Sequence, residues 1–314
     1  MNVAASPRPQ APPKWYAAAM RPWLRLAFAL LLPACHASAP PLPKQETQAA
    51  PLDDVVDIGG LALHLRCVGQ GEPAVVMEAG LGNDGSVWKH VQPEVARFAR
   101  ACVYDRAGMG RSRGPAPKPH TNRQMARELH ALLTRAGLAG PWILVGHSMG
   151  GLNVRLLEAE HPEQVAGMVL VDATVDPART WSLIPDAQLR EFKEIIPRLG
   201  EGLDFETFLS GAADVRATSR SLGAKPLVVL TRSREHPQPW ASPEQLAEML
   251  RVWQELQAEL PKLSSNSVQL VVKNSAHYIQ LDAPRTVVAA IGEVVRAART
   301  QSRLNAAAIT KLNR

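Results

Sequence analysis

The chain has 314 residues, 46% of them hydrophobic, and a formal net charge of +6, which is ample length for one large buried core or two smaller ones. The excess charge sits at the ends: residues 1–25 hold Arg8, Lys14, Arg21 and Arg25, and residues 296–314 hold Arg296, Arg299, Arg303, Lys311 and Arg314, with no acid in either stretch. Removing those nine from the 35 basic residues leaves 26 against 29 acids, a body of −3, and no fixed-period repeat is visible, which argues against a nucleic-acid surface and against a solenoid.

Arg21 and Arg25 precede the apolar run from Leu26 to Leu32, which is followed by Pro33-Ala34-Cys35. The run is far shorter than the ~20 apolar residues of a spanning helix and has the order of an export signal. Residues 1–35 are therefore expected to lie outside the fold, with Met20 a candidate start. Leu32-Pro33-Ala34-Cys35 resembles the bacterial lipobox and makes Cys35 the lipidation candidate; a plain secretory signal cleaved nearby is the alternative. Residues 36–52, rich in proline, read as a flexible linker. The expected location is the periplasm or a membrane-anchored lipoprotein of a bacterial envelope, touching membrane only through that anchor or signal. In an exported chain the two other cysteines, Cys67 and Cys102, are either oxidised or two buried free thiols.

Strands are predicted at Asp54–Ile58 and Leu61–Cys67, joined through Gly59-Gly60 in a tight hairpin. The continuous apolar runs Ala74–Met77 and Ala101–Tyr104 have the look of strands covered on both faces. Thr121-Asn122-Arg123-Gln124 has the form of a capping box, and Met125, Leu129, Leu132 and Leu133 mark one face of the helix it opens. Trp142–Val145 is a further strand, and a helix-like stretch from Gly151 to Leu157 follows the pentapeptide Gly146-His147-Ser148-Met149-Gly150. Strands follow at Gly167–Val171, Leu227–Leu230 and Val268–Val272. Strands alternating with helices predict a mostly parallel sheet with helices on both faces. Residues 176–224 break the alternation with helical apolar spacing and read as a small helical cap, or else a longer crossover packed as core. Ser242-Pro243-Glu244-Gln245 opens a second long helix whose apolar face carries Leu246, Met249, Leu250, Trp253, Leu256 and Leu260.

A serine on a sharp strand-to-helix turn needs strained backbone, which flanking glycines tolerate, and its hydroxyl stands at a helix N-terminus that favours developing negative charge. Around Ser148 the chain resembles the α/β-hydrolases, over roughly residues 53–299, leaving 300–314 as a basic tail. The resemblance rests on four motifs in order: Ala79-Gly80-Leu81-Gly82, the run from Tyr104-Asp105-Arg106 to Arg111-Ser112, the serine turn, and Ser275-Ala276-His277 after the last strand. It implies an α/β-hydrolase fold with a small cap, no metal or organic cofactor, and a small-molecule ester-type substrate.

A serine hydroxyl needs an adjacent base, and the resemblance points to His277. The carboxylate that orients the imidazole is either Asp172, directly after the strand that follows the serine helix, or Glu235, in the loop after Leu227–Leu230 that reads as solvent-facing; Asp172 is favoured. The resemblance assigns the oxyanion donors to the N–H groups of Leu81 and Met149, with Ala79 standing where the family usually has histidine. Asp105 and Arg106 are read as braces of the active-site loops, and His147 as structural. The family's strand order puts Cys67 and Cys102 on neighbouring strands, within reach of a disulfide. The activity so implied is hydrolysis of a carboxylic ester, or a related amide or thioester, of a small or medium apolar substrate through an acyl-enzyme. The alternatives are a non-catalytic envelope ligand-binding protein on the same fold, or a cofactor-free haloperoxidase-like or carbon–carbon bond hydrolase.

Overall fold

The computed structural model of the protein describes residues 51–218 and 220–311. The export signal, Cys35 and nearly all of the linker lie outside the described residues. The hairpin of β1 (Leu52–Asp57) and β2 (Ala62–Val68) comes first, followed by β3 (Val75–Glu78), the short α1 (Gln92–Val95) and β4 (Ala101–Tyr104). Then come α2 (Asn122–Arg135), β5 (Trp142–His147), α3 (Gly150–Glu160) and β6 (Val165–Val171). Three helices lie between β6 and the next strand: α4 (Pro177–Trp181), α5 (Asp186–Ile195) and α6 (Phe205–Thr218). The chain ends with β7 (Leu227–Arg232), α7 (Pro243–Gln257), β8 (Ser267–Val272), α8 (Ile279–Asp282), α9 (Pro284–Thr300) and α10 (Ala306–Thr310).

The eight strands form one sheet in the order β1-β2-β4-β3-β5-β6-β7-β8, antiparallel across β1, β2 and β4 and parallel elsewhere. The central strands are apolar along most of their length because both faces are covered, with Glu78, His147, Thr231 and Arg232 confined to their C-terminal ends. Val76, Leu144, Leu170 and Val229 turn to one side with Leu129, Leu133, Leu152 and Leu156 of α2 and α3. Their neighbours Met77, Val145, Val169 and Val228 turn to the other, against Val287, Ile291 and Val294 of α9. Successive side chains of a strand point to opposite faces, so one unalternated run supplies both cores. Each such buried Val, Leu or Ile contributes roughly 1.5–3 kcal/mol, and Leu144→Ala would cost about 2–5 kcal/mol through the lost contacts and the cavity left behind.

The helix starts follow their capping residues. Thr121 Oγ1 accepts from the Gln124 N–H, and Ser242 with Gln245 makes both bonds of a capping box. The long α9 is not among the elements read from sequence, and part of the basic tail is folded as α10, with Ile309 fully buried in the α9 core. Cys67 lies directly opposite Cys102 in the β2–β4 register, and the two form a disulfide. Among the described residues no helix is long and apolar enough to cross a membrane.

Candidate active site

Parallel strands β5, β6, β7 and β8 all end at one edge of the sheet, and the loops leaving that edge carry the candidate residues. Ser148 occupies the turn between β5 and α3 with φ +52°, a left-handed conformation that costs a non-glycine residue about 1–3 kcal/mol. Bare backbone around it makes room for the turn. A Cβ on Gly146 would lie 2.8 Å from the Gly150 carbonyl oxygen, and one on Gly150 would lie 2.5 Å from the Ala79 oxygen. Gly151, not singled out by the sequence pattern, is as restricted: its Cβ would meet that of Ala173 at 2.4 Å. Asp172, at the tip of β6, is also left-handed, with φ +45°. The two turns hold each other: the Ser148 N–H donates to the Val171 oxygen (3.2 Å), and the Thr174 N–H donates to the Ser148 oxygen (2.9 Å).

His277 leaves β8 on a loop anchored by the Ala276 N–H to Asp282 Oδ2 (2.8 Å) and the Ser233 N–H to the Ser275 oxygen (3.0 Å). Its Nε2 is 2.9 Å from Ser148 Oγ and its Nδ1 is 2.7 Å from Asp172 Oδ2. A carboxylate at Nδ1 fixes the proton there, so Nε2 accepts from the serine hydroxyl. Asp172 is fully buried, and its carboxylate accepts every bond it makes: the Arg232 N–H (3.0 Å) and Trp253 Nε1–H (2.7 Å) donate to Oδ1, and Arg232 Nη1 (2.9 Å) and the imidazole Nδ1–H to Oδ2. Burial alone would raise its pKa, but the Arg232 charge and the bonds from His277 and the Arg232 backbone overcome it and hold the carboxyl at about 2.

Glu235 does not reach the imidazole. Its carboxylate pairs with Arg232, and its side chain, 14% exposed, is tucked into the loop rather than solvent-facing as its sequence context suggests. Arg232 thus lies between the two acids with its guanidinium over the Trp253 ring, 4.1 Å from the centroid. Neither residue was read from sequence as part of the site, Trp253 being placed only on the apolar face of its helix. A charged residue continuing the buried strand Leu227–Leu230 was the available signal, since a buried charge requires a partner.

His147 is buried, which together with the neighbouring His277 ring pushes its pKa down to about 3. It is therefore neutral, and its Nε2–H donates to the His277 carbonyl (3.0 Å), steadying the loop that carries the imidazole. Facing Ser148 is the turn after β3. Arg106, also buried, donates to the carbonyls of Ala79 (2.8 Å) and Gly80 (2.6 Å) and pairs with Glu78 (2.7 Å). Asp105 accepts the N–H groups of Gly85 and Arg111, each at 2.8 Å. Among the described residues the Leu81 and Met149 N–H groups donate to no protein acceptor. The side chains of Leu81 and Met149 belong to an apolar cluster with Ile196, Trp181, Phe205 and Phe208 of the region between β6 and β7. Such an arrangement can deprotonate a hydroxyl beside an apolar wall, and two free N–H groups adjoin it.

A family model described as alpha/beta hydrolase fold matches residues 73–238. The uncharacterized protein YqjL of Bacillus subtilis (strain 168) is 28% identical over 256 residues, which are 81% of this chain and 96% of the relative. Among solved structures, a thermophilic esterase from Thermogutta terrifontis is similar with a TM-score of 0.52 and 21% identity, covering 80% of this chain and 99% of its own. The epoxide hydrolase CorEH is similar with a TM-score of 0.50 and 17% identity, covering 76% and 95%. Likeness at these identities shows the fold alone.

Proposed function

This chain belongs to the alpha/beta hydrolase fold family, and from that premise we propose that it is a serine hydrolase cleaving a carboxylic ester of a small or medium apolar substrate through an acyl-enzyme. The observation that carries the reading is the continuous line from Ser148 Oγ to His277 Nε2 (2.9 Å) and from His277 Nδ1 to the buried Asp172 (2.7 Å). Ser148 Oγ attacks the ester carbonyl as His277 Nε2 takes its proton. Asp172 keeps the Nδ1–H in place and stabilises the imidazolium. The Leu81 and Met149 N–H groups receive the oxyanion, each worth roughly 10²–10³ in rate. The imidazolium then protonates the departing alkoxide, and water activated by the same imidazole releases the acid. A serine at this turn, where epoxide hydrolases and haloalkane dehalogenases need a carboxylate nucleophile, supports the acyl-enzyme route. The apolar cluster beside the oxyanion donors supports an apolar acyl or alcohol group.

The test is a panel of p-nitrophenyl esters of increasing chain length on wild type and Ser148→Ala. Turnover that disappears in the variant is the expected result; equal turnover in both would overturn Ser148 as the nucleophile, and none by folded wild type would overturn the reading in favour of the ligand-binding protein. The α4–α6 region is proposed as the cap, its side chains setting chain-length preference. Export with lipid attachment at Cys35 is part of the proposal; the Cys67–Cys102 disulfide is in keeping with the export part alone, because such bonds persist in oxidising compartments. Metabolic palmitate labelling lost in Cys35→Ala would support the anchor; an unlabelled wild type leaves a plain signal.

A further inference from the structure

We propose that Glu201, supplied by the connector between α5 and α6, is a positioning residue that holds the turn carrying the Leu81 N–H where it can receive the oxyanion. The inference rests on the serine-hydrolase reading above. Glu201 is fully buried. Its Oε1 accepts from the Gly82 N–H at 2.6 Å and from Arg106 Nη2 at 2.8 Å, and its Oε2 accepts from Arg106 Nε at 3.0 Å. The same guanidinium donates to the carbonyl oxygens of Ala79, Gly80 and Asn83. Glu201 and Arg106 together therefore fix the backbone of residues 79, 80, 82 and 83, and residue 81 is left between them with its N–H uncommitted.

A buried carboxylate could instead be a fastener for the connector, but the connector is fastened without it. The His120 N–H donates to the Gly202 oxygen (3.1 Å), and His120 Nδ1 bonds the Glu201 carbonyl (2.8 Å). The backbones also meet closely: a Cβ on Gly108 would lie 2.1 Å from the Gly200 oxygen, and one on Gly202 would lie 2.0 Å from the Pro117 oxygen. Nor is Glu201 needed to neutralise Arg106, which already pairs with Glu78 at 2.7 Å. All of its side-chain hydrogen bonds go to the oxyanion turn and the arginine that braces it. An oxyanion donor works only when preorganised, and displacement by a fraction of an ångström forfeits much of its effect. The helical insertion thereby acts on the chemistry as well as on substrate fit.

Glu201→Ala and Glu201→Gln are compared with wild type on one ester, with kcat normalised to active sites titrated by a burst reagent and the inhibition constant of an alkyl boronic acid, a tetrahedral mimic, measured alongside. For Glu201→Ala the expected result is a kcat lower by about 10- to 100-fold with KM within about twofold, and boronate affinity weakened in parallel. Glu201→Gln, which keeps an acceptor for the Gly82 N–H, is expected to fall between. Per-site kcat and boronate affinity equal to wild type, with only the melting temperature lowered, would overturn the proposal. If Glu201→Ala does not fold, Glu201→Gln decides by the same criteria, and failure of this near-isosteric variant to fold would equally overturn it. A wild type with no turnover and no boronate binding refutes the hydrolase reading itself, a result distinct from an active wild type indifferent to Glu201.

Discussion

Strands β6 and β7 are neighbours ending at the same sheet edge, and each is followed by a carboxylate that touches Arg232, yet the two acids have different surroundings. Asp172 is the first residue beyond β6, left-handed, fully buried and bonded to the imidazole. Glu235 comes three residues after β7 and spends its carboxylate on Arg232. The difference lies in the backbone. A residue at the strand tip has its position dictated by the sheet, whereas one three residues out depends on how its loop folds back. Arg232 ties the pair together: it depresses the pKa of Asp172, and Glu235 in turn partners Arg232.

The largest expected effect is on catalysis. Asp172→Asn should lower kcat on a p-nitrophenyl ester by ~10⁴-fold, because an amide no longer fixes the imidazole tautomer or stabilises the imidazolium. The converse ranking, with Glu235→Gln the more damaging, would move the acid to the β7 loop. Next is Arg232→Met, which leaves Asp172 buried without its cation and should cost about 3–5 kcal/mol in urea unfolding; a loss below about 1 kcal/mol would mean that the pair is solvated.

Acid titration tests the surroundings of Asp172 by a different route. Asp172 has a folded pKa of about 2 against an ordinary 3.8, so its ionisation stabilises the fold fully above about pH 4, and that contribution, roughly 2–3 kcal/mol, is lost as pH falls toward 2. Unfolding measured across that window should be steeper in wild type than in Asp172→Asn, and parallel curves would refute the depressed value. The smallest effect is Glu235→Gln, expected to reduce kcat less than about tenfold, under about 1.4 kcal/mol of barrier, since it touches the imidazole only through Arg232.

Strands β3 to β8 were legible as short, largely apolar runs and the β1–β2 hairpin from the Gly59-Gly60 pair between two mixed runs, and all eight strands stand where these signals predict them, within a few residues at their ends. The long α9 carries Val287, Ile291 and Val294 at helical spacing, a plain amphipathic pattern with no motif attached to it. Ser148, His277 and Asp172 were candidates from sequence, and the structure brings the three into one hydrogen-bonded line, but the choice between Asp172 and Glu235 stayed open there. It depends on contacts across 105 residues from Asp172 to His277 and 81 from Asp172 to Trp253. Trp253 illustrates the limit: its place on an apolar helix face reads as core, which it is, while the acceptor its indole N–H must find when buried is set by tertiary packing alone. Glu201, 119 residues from Gly82, carried no local signal.

The account stands on Ser148 being a nucleophile activated by its neighbours, and peptide-mapped mass spectrometry of the folded protein after treatment with a fluorophosphonate tests this most directly. One phosphonyl adduct on Ser148, absent in Ser148→Ala and formed far more slowly in Asp172→Asn, is the predicted result. An unmodified Ser148 in folded wild type, or labelling that ignores Asp172, would contradict it.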